Sequence, residues 1–192
     1  MTILPIDEIN ALKGRLAEHF EDGGAGRIKS RRDADQIIDE LWDLFLLSYA
    51  FGVEATNTEL GTEKTPPADN AEAAVDMVIA GKTWRERVME YYENGGTLYD
   101  ITRIAETDAT RIYNQGALDA VEANGLQTTA NKRWITMMDD KVRDTHAYLE
   151  GMVIPYRASF FTYDGDSAPA PGMFSLPENN IGCRCVVEVI RG

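Results

Sequence analysis

The sequence predicts an α+β fold, in which the N-terminal two-thirds is mostly helical and the C-terminal end forms a small mixed α/β cap. Apolar residues recur at helical spacing before Gly125, whereas runs rich in β-branched residues begin only after it. Both cysteines and one of the two histidines also lie beyond residue 131. This concentration of rare side chains indicates that the chain is organised around its cap.

Capping patterns and periodicity predict the helical part. A helix start is predicted at Pro5, because proline suits the first turn of a helix. Ser30 predicts the capped start of a second helix. From Ile37 to Phe51 that helix is apolar over much of its circumference, so we expect it to be buried between neighbours or covered by a partner subunit. Thr97 predicts the start of a helix that runs to Gly125 and carries a stripe of small residues, which lets another helix approach closely.

A proline-containing stretch divides the predicted helical part in two. We expect a fragment from about Ala71 onward to fold without the region before it. The predicted divisions are an N-terminal helical region at 1–61, a linker at 62–70, a second helical region at 71–130 and the cap at 131–192.

The net charge of −13 is unevenly distributed. Residues 1–81 carry 16 acids and 7 bases, residues 82–130 carry 8 and 5, and residues 131–192 carry 8 and 7. A protein that neutralises DNA phosphates needs a basic face, so this distribution argues against sequence-specific DNA binding. It suits a protein that stays soluble beside packaged DNA or that docks on a basic protein surface.

The sequence also indicates the cellular compartment in which the protein is made. No run approaches the roughly 18 apolar residues of a membrane helix, and no basic region followed by an apolar core indicates a secretory signal. Cys183 and Cys185 are one residue apart, and a disulfide between them would strain its geometry. We therefore expect reduced thiols or metal ligands, in a soluble protein made in a reducing cytoplasm.

Two local patterns in the cap predict that its rare side chains meet. Asp139, Arg143 and His146 are spaced four and then three apart, which would place them on one face of a short helix over Lys141–Leu149. Cys183 and Cys185 alternate on a β-branched run, so a closing strand from Gly182 to Ile190 would present both thiols on the same side.

Three interpretations of this cluster remain open. His146, Cys183 and Cys185 are ligands that zinc prefers, with Asp139 as a fourth, so a structural zinc is one. In the second, His146 hydrogen-bonds the backbone of the closing strand while the thiols fill the core as small hydrophobic groups, and the polar residues stabilise a small domain. In the third, Asp, His and Cys act as the acid/base and nucleophile of a hydrolase.

The same residues carry a family resemblance. From about residue 98 to the end, the chain resembles the phage Mu F-like family of minor head, or head morphogenesis, proteins. In that family Asn directly precedes the first cysteine of the closing motif, where this chain has Gly182. The matching positions are Trp134, Thr136, Asp139, Val142, Arg143, His146, Leu149, Gly151, Cys183, Arg184 and Cys185.

The resemblance implies a structural protein of the virion and not an enzyme. It implies a minor capsid component in few copies, at the portal vertex or in the head interior, that acts in head morphogenesis and in DNA packaging or delivery. Its partners would be the portal or other head proteins, with non-specific proximity to DNA and no membrane, in the host cytoplasm during assembly and then in the virion. The alternatives are a small metal-dependent enzyme or toxin-like module that uses the Asp/His/Cys cluster, and an acidic helical adaptor.

Overall fold

The computed structural model describes residues 6–192, so the predicted helix start at Pro5 lies outside the described residues. Helices dominate the first two-thirds of the chain and short strands the remainder, which confirms the α+β prediction. No helix in the described part is long and apolar enough to span a bilayer. In chain order the helices are α1 (Ile6–Leu16), α2 (Arg31–Leu60), α3 (Ala68–Val75), α4 (Trp84–Asn94), α5 (Leu98–Ala123), α6 (Asp144–Ala147) and α7 (Pro177–Asn180).

The cap is built on a three-stranded antiparallel sheet. Its central strand pairs on one side with a short strand, where Lys132 faces Ile154, and on the other with the closing strand, where Trp134 faces Val187. A two-stranded hairpin lies beside it in the chain. The strands are β1 (Ala130–Ile135), β2 (Val153–Pro155), β3 (Phe160–Phe161), β4 (Ser167–Ala168) and β5 (Val186–Arg191), with sheet order β2-β1-β5.

The predicted helix starts at Ser30 and Thr97 are confirmed by their capping contacts. The Ser30 hydroxyl accepts a hydrogen bond from the backbone N–H of Asp33 at 3.2 Å, which satisfies one unpaired donor of the first turn of α2. The backbone N–H and the hydroxyl of Thr97 both donate to the Asp100 carboxylate. These caps are local in sequence, and for this reason local patterns predict them.

Helices α2 and α5 touch backbone to backbone at two glycines. A Cβ placed on Gly52 would lie 2.0 Å from the carbonyl oxygen of Tyr113, and one placed on Gly116 would lie 2.3 Å from the carbonyl oxygen of Tyr49. Neither position has room for any side chain, because such distances are well inside van der Waals contact. The predicted close approach of a helix to the small-residue stripe of α5 is therefore present, and its partner is α2.

Helix α2 is covered mainly by the rest of its own chain. Its large apolar side chains are buried or partly buried, with Leu47 as the exposed member at 38%. Helix α5 in turn contributes to two apolar cores, one among the helices and one beneath the cap. A fragment from Ala71 onward would lose the main packing partner of α5, which argues against the expectation that it folds alone. The predicted domain boundaries stay a prediction.

We predict that Gly116→Ala lowers the free energy of unfolding by about 1–3 kcal/mol, because α2 and α5 must separate to admit the methyl group. The matched control is Gly14→Ala at an exposed position of α1, where an added Cβ meets no atom within 4 Å. That control should gain about 0.5–1 kcal/mol, because glycine is unfavourable inside a helix. Urea denaturation of both variants measures the difference, and equal stabilities would contradict the contact.

Candidate functional site

The helix that carries His146 is shorter than predicted. Helix α6 spans only Asp144–Ala147, so Asp139 and Arg143 do not share a helical face with His146. The Asp139 carboxylate accepts a hydrogen bond from the backbone N–H of Lys141 at 3.1 Å, and this local turn replaces the predicted first turn of the helix. The expectation of one helical face with three functional side chains is therefore wrong.

The two cysteines precede the closing strand instead of lying on it. Strand β5 begins at Val186, whereas Gly182 adopts a left-handed backbone conformation with φ of 67° directly before Cys183. The backbone N–H of Cys183 donates to the carbonyl of Asn180 at 3.0 Å, so the chain turns at this point. The predicted strand from Gly182 to Ile190 is wrong at its first residues, although both thiols still face the same neighbour.

That neighbour is the imidazole of His146. Its Nδ1 lies 3.4 Å from the sulfur of Cys183 and 3.6 Å from the sulfur of Cys185. All three donor atoms lie within 4.8 Å of one another, and all three residues are buried. Nδ1 thus faces the thiols and not the backbone of the closing strand, which corrects the second interpretation of His146. The predicted meeting of this histidine with both cysteines is present.

Aromatic rings enclose the imidazole on its other sides. Trp134 meets it edge to face with centroids 5.2 Å apart, and Phe174 stacks on it with centroids 5.6 Å apart. The Nε2 atom of His146 is buried and has no hydrogen-bond partner among residues 6–192. The imidazole can therefore interact with polar groups only through the Nδ1 side, where the sulfurs lie.

The two thiols differ in acidity because they share a hydrogen bond. A hydrogen bond from the Cys185 thiol lowers the pKa of Cys183, burial opposes this, and the adjacent His146 lowers it further. The same hydrogen bond and burial raise the pKa of Cys185. Cys183 is therefore the sulfur that holds negative charge more readily, as expected for a thiol beside an imidazole.

Asp139 lies at the surface, outside this cluster. Both of its oxygens accept hydrogen bonds from the Arg184 guanidinium, at 2.7 and 2.8 Å. This hydrogen bond, aided by one from the backbone of Lys141, lowers the pKa of Asp139 against a small opposing effect of burial. Among the described residues, the side chains close enough together to bind one metal ion are those of His146, Cys183 and Cys185 only. Asp139, the predicted fourth ligand, is not among them.

The other motif residues hold the segments around the cluster. Gly151 takes a left-handed conformation with φ of 72°, and its N–H donates to the carbonyl of Trp134 at 2.9 Å. The N–H of Thr136 donates to the Glu150 carboxylate at 2.6 Å. Arg143 donates to the carbonyl of Ile181, just before the cysteines. These contacts connect β1, the α6 turn and the cysteine segment.

Asn114 on α5 is a positioning residue that sequence reasoning missed. Its side-chain amide donates to the carbonyls of Pro171 at 3.0 Å and Cys185 at 3.3 Å, while its oxygen accepts the N–H of Val187 at 2.8 Å. The side chain is fully buried. The sequence gives no local signal that singles it out, because several other polar residues of α5 are buried as well.

Asp166 is a second buried polar residue that the sequence analysis did not identify. Burial alone would raise its pKa, but hydrogen bonds lower that pKa to about 2. The donors are the hydroxyl of Ser175 at 2.7 Å, the amide of Asn179 at 3.1 Å, and the N–H groups of Leu176 at 3.0 Å and Ser167 at 2.8 Å. This carboxylate organises the loop that leads to the cysteine segment.

This architecture, a helical part joined to a cap around a buried His-Cys-Cys cluster, can be placed among known proteins. The chain belongs to the family described as Phage Mu protein F like protein, whose model matches residues 71–188. This confirms the resemblance carried by the motif. No solved structure matches the chain significantly.

Two curated relatives are similar to parts of the chain. Over 118 residues, or 60% of this chain and 24% of the relative, it is 34% identical to the NAD(+)–arginine ADP-ribosyltransferase EFV of Enterococcus faecalis. Over 89 residues, or 46% of this chain and 29% of the relative, it is 27% identical to Minor head protein GP7 of Bacillus phage SPP1. The chain therefore spans less than a third of either relative. Family membership and the likeness to GP7 support a phage head protein.

We predict that Asp166→Asn lowers the free energy of unfolding at pH 7 by roughly 2 kcal/mol, because the donors around the carboxylate lose a charged acceptor. The folded pKa is below the unfolded value of about 3.9, so the carboxylate stabilises the fold above that value. Its contribution is lost as the pH falls towards 2, and the difference between wild type and variant should shrink between about pH 5 and pH 2. Urea denaturation across this range measures it, with exposed Asp140→Asn as the control. A difference independent of pH would contradict the assignment.

Proposed function

We propose that this protein is a minor head protein of a phage particle, located at the portal vertex or in the head interior, with a role in head assembly and in DNA packaging or delivery. The observation that carries the proposal is the family match over residues 71–188, which begins within α3 and takes in the later helices and nearly all of the cap. The likeness to a minor head protein supports the same role.

The proposed partners are other head proteins, the portal among them, and the charge distribution supports protein contacts over contacts with DNA. Residues 1–81 hold 16 acids against 7 bases, whereas residues 131–192 are close to neutral, with 8 acids and 7 bases. An acidic region repels phosphate but can be attracted to a basic protein surface. We therefore propose that the chain is held in the head by protein contacts and lies near DNA only non-specifically. Assembly would take place in the host cytoplasm.

We also propose that the chain is not an enzyme. The side chains of His146, Cys183 and Cys185 are 1%, 2% and 4% exposed, and the cleft beside them has room for about one water molecule. A catalytic nucleophile and base must reach a substrate, so this burial favours a stabilising role. The competing candidate is an ADP-ribosyltransferase activity, favoured by the name of the relative in Enterococcus faecalis.

The head assignment is tested on particles from a phage or prophage that encodes the chain. Quantitative mass spectrometry of purified particles should find it in far fewer copies than the major capsid protein, and in the head fraction after tails are removed. Deletion of its coding sequence should yield defective or DNA-deficient heads, with a synonymous recoding as the control. Absence of the chain from purified heads would contradict the assignment.

The absence of enzyme activity is tested by incubation of the purified chain with labelled NAD⁺ and a small guanidine acceptor such as agmatine. We expect no transfer of ADP-ribose above the protein-free background, because the likeness covers only 24% of the ADP-ribosyltransferase relative. An established arginine-specific ADP-ribosyltransferase provides the positive control. Transfer that rises in proportion to the concentration of the chain would favour the competing candidate.

A further inference from the structure

The imidazole nitrogen of His146 lies at the distance from each sulfur that a tetrahedral zinc ion requires, and all three donor atoms lie within 4.8 Å of one another. Zinc–sulfur bonds of about 2.3 Å and zinc–nitrogen bonds of about 2.0–2.1 Å place sulfur and nitrogen roughly 3.5 Å apart across a tetrahedral angle. The observed separations between Nδ1 of His146 and the two sulfurs are 3.4 and 3.6 Å. We propose that His146, Cys183 and Cys185 together bind one zinc ion, a site that the proposed head function neither requires nor predicts.

Hydrogen bonding alone accounts for the arrangement less well. A neutral imidazole presents one donor and one acceptor, so Nδ1 can form one good hydrogen bond, yet two sulfurs face it. The other ring nitrogen, Nε2, is buried without a partner in the described part of the chain whether or not a metal is bound, so only the contacts of Nδ1 distinguish the two accounts. A cation between Nδ1 and the sulfurs uses all three donors at once, with the ring proton on Nε2.

The fourth coordination position faces a small cleft at the surface. Among residues 6–192 no further histidine, cysteine or carboxylate belongs to the donor group. The cleft has room for about one water molecule, and a water there completes the tetrahedron. Besides the donors, its lining residues are Met137, Lys141, Val142, Arg143, Gly182 and Arg184.

Charge balance favours a divalent cation in this position. Binding as thiolates requires that both cysteines lose their protons to solvent, and two buried thiolates without a counter-charge are unfavourable. A Zn²⁺ ion neutralises them, so the ion and its two thiolates together carry no net charge. No electron is transferred, and the metal stays in one oxidation state.

The ion would join two segments that have little regular structure. Helix α6 is only four residues long, and the cysteines lie in an irregular segment 37 to 39 residues further along the chain. Structural zinc ions typically supply folding free energy in such places, because the site exists only when the segments meet. The role that we assign to the ion is therefore to fasten the cap.

The test uses the full chain, reduced, metal-free and purified without a metal-chelating tag, titrated with zinc and separately with cobalt. We expect about one equivalent bound per chain, with thiolate-to-cobalt charge-transfer absorption and the visible bands of tetrahedral cobalt. X-ray absorption at the zinc edge should resolve two sulfur ligands at about 2.3 Å and two nitrogen or oxygen ligands at about 2.0–2.1 Å. Zinc at a hundredfold excess over its Kd should raise Tm by roughly 5–10 °C, reversed by a chelator.

Variants identify the residues that bind the zinc ion. Cys183→Ser, Cys185→Ser and His146→Ala should each reduce zinc to below about one tenth of an equivalent, whereas His19→Ala, at the other histidine, should keep a full equivalent. The number of bound zinc ions and the ligand atoms are measured on the wild-type chain. The proposal can therefore be contradicted even if a variant fails to fold. Less than about one tenth of an equivalent in wild type, or a zinc site with three or four sulfur ligands shared between chains, would overturn it. Neither result would affect the head assignment, which the composition of particles tests separately.

Discussion

The contact between helices α2 and α5 positions most of the remaining structure. At Gly52 the backbone of α2 lies against the carbonyl of Tyr113, and the next residue of α5, Asn114, holds the backbone at Cys185 and Val187. The separation of the two helices therefore determines where the cysteine segment runs. A shift of α5 by the width of a methyl group would move the attachment point of the cap as well.

The cap relies on buried polar contacts in addition to its apolar core. Lys132 is almost fully buried, its ammonium donates to the carbonyl of Pro169 at 2.6 Å, and burial lowers its pKa to about 8. Asp166 and Asn180 bind loop backbone in the same way, Asn180 through both the N–H and the carbonyl of Phe174. Such contacts give a small domain a single arrangement, because each unpaired group would be costly. Phe174, which Asn180 holds, stacks in turn on the imidazole of His146.

The parts of the fold that depend on local sequence could be predicted, and those that depend on distant partners could not. The capping hydrogen bond at Ser30 and the small-residue stripe of α5 involve neighbours in sequence, and both are present. The helix predicted over Lys141–Leu149 is present only over Asp144–Ala147, because Asp139 forms a turn with its own backbone and pairs with Arg184, which is 45 residues away. The contacts of Asn114 cross 57 to 73 residues, so no local pattern could reveal them.

The contact of His146 with both cysteines was predicted although the predicted helix and strand differ from those observed, and there is a physical reason for this. The predicted helix and strand were only two of the ways to bring an imidazole and two thiols together, and the burial of all three does not depend on either element. Irregular backbone around a buried cluster needs a stabilising interaction at its centre, because neither helix nor sheet hydrogen bonds hold it. A cluster that fastens segments gains from burial, whereas a reaction centre needs an opening for its substrate. The enclosure of His146 by Trp134 and Phe174 thus supports a fastening role for the cluster.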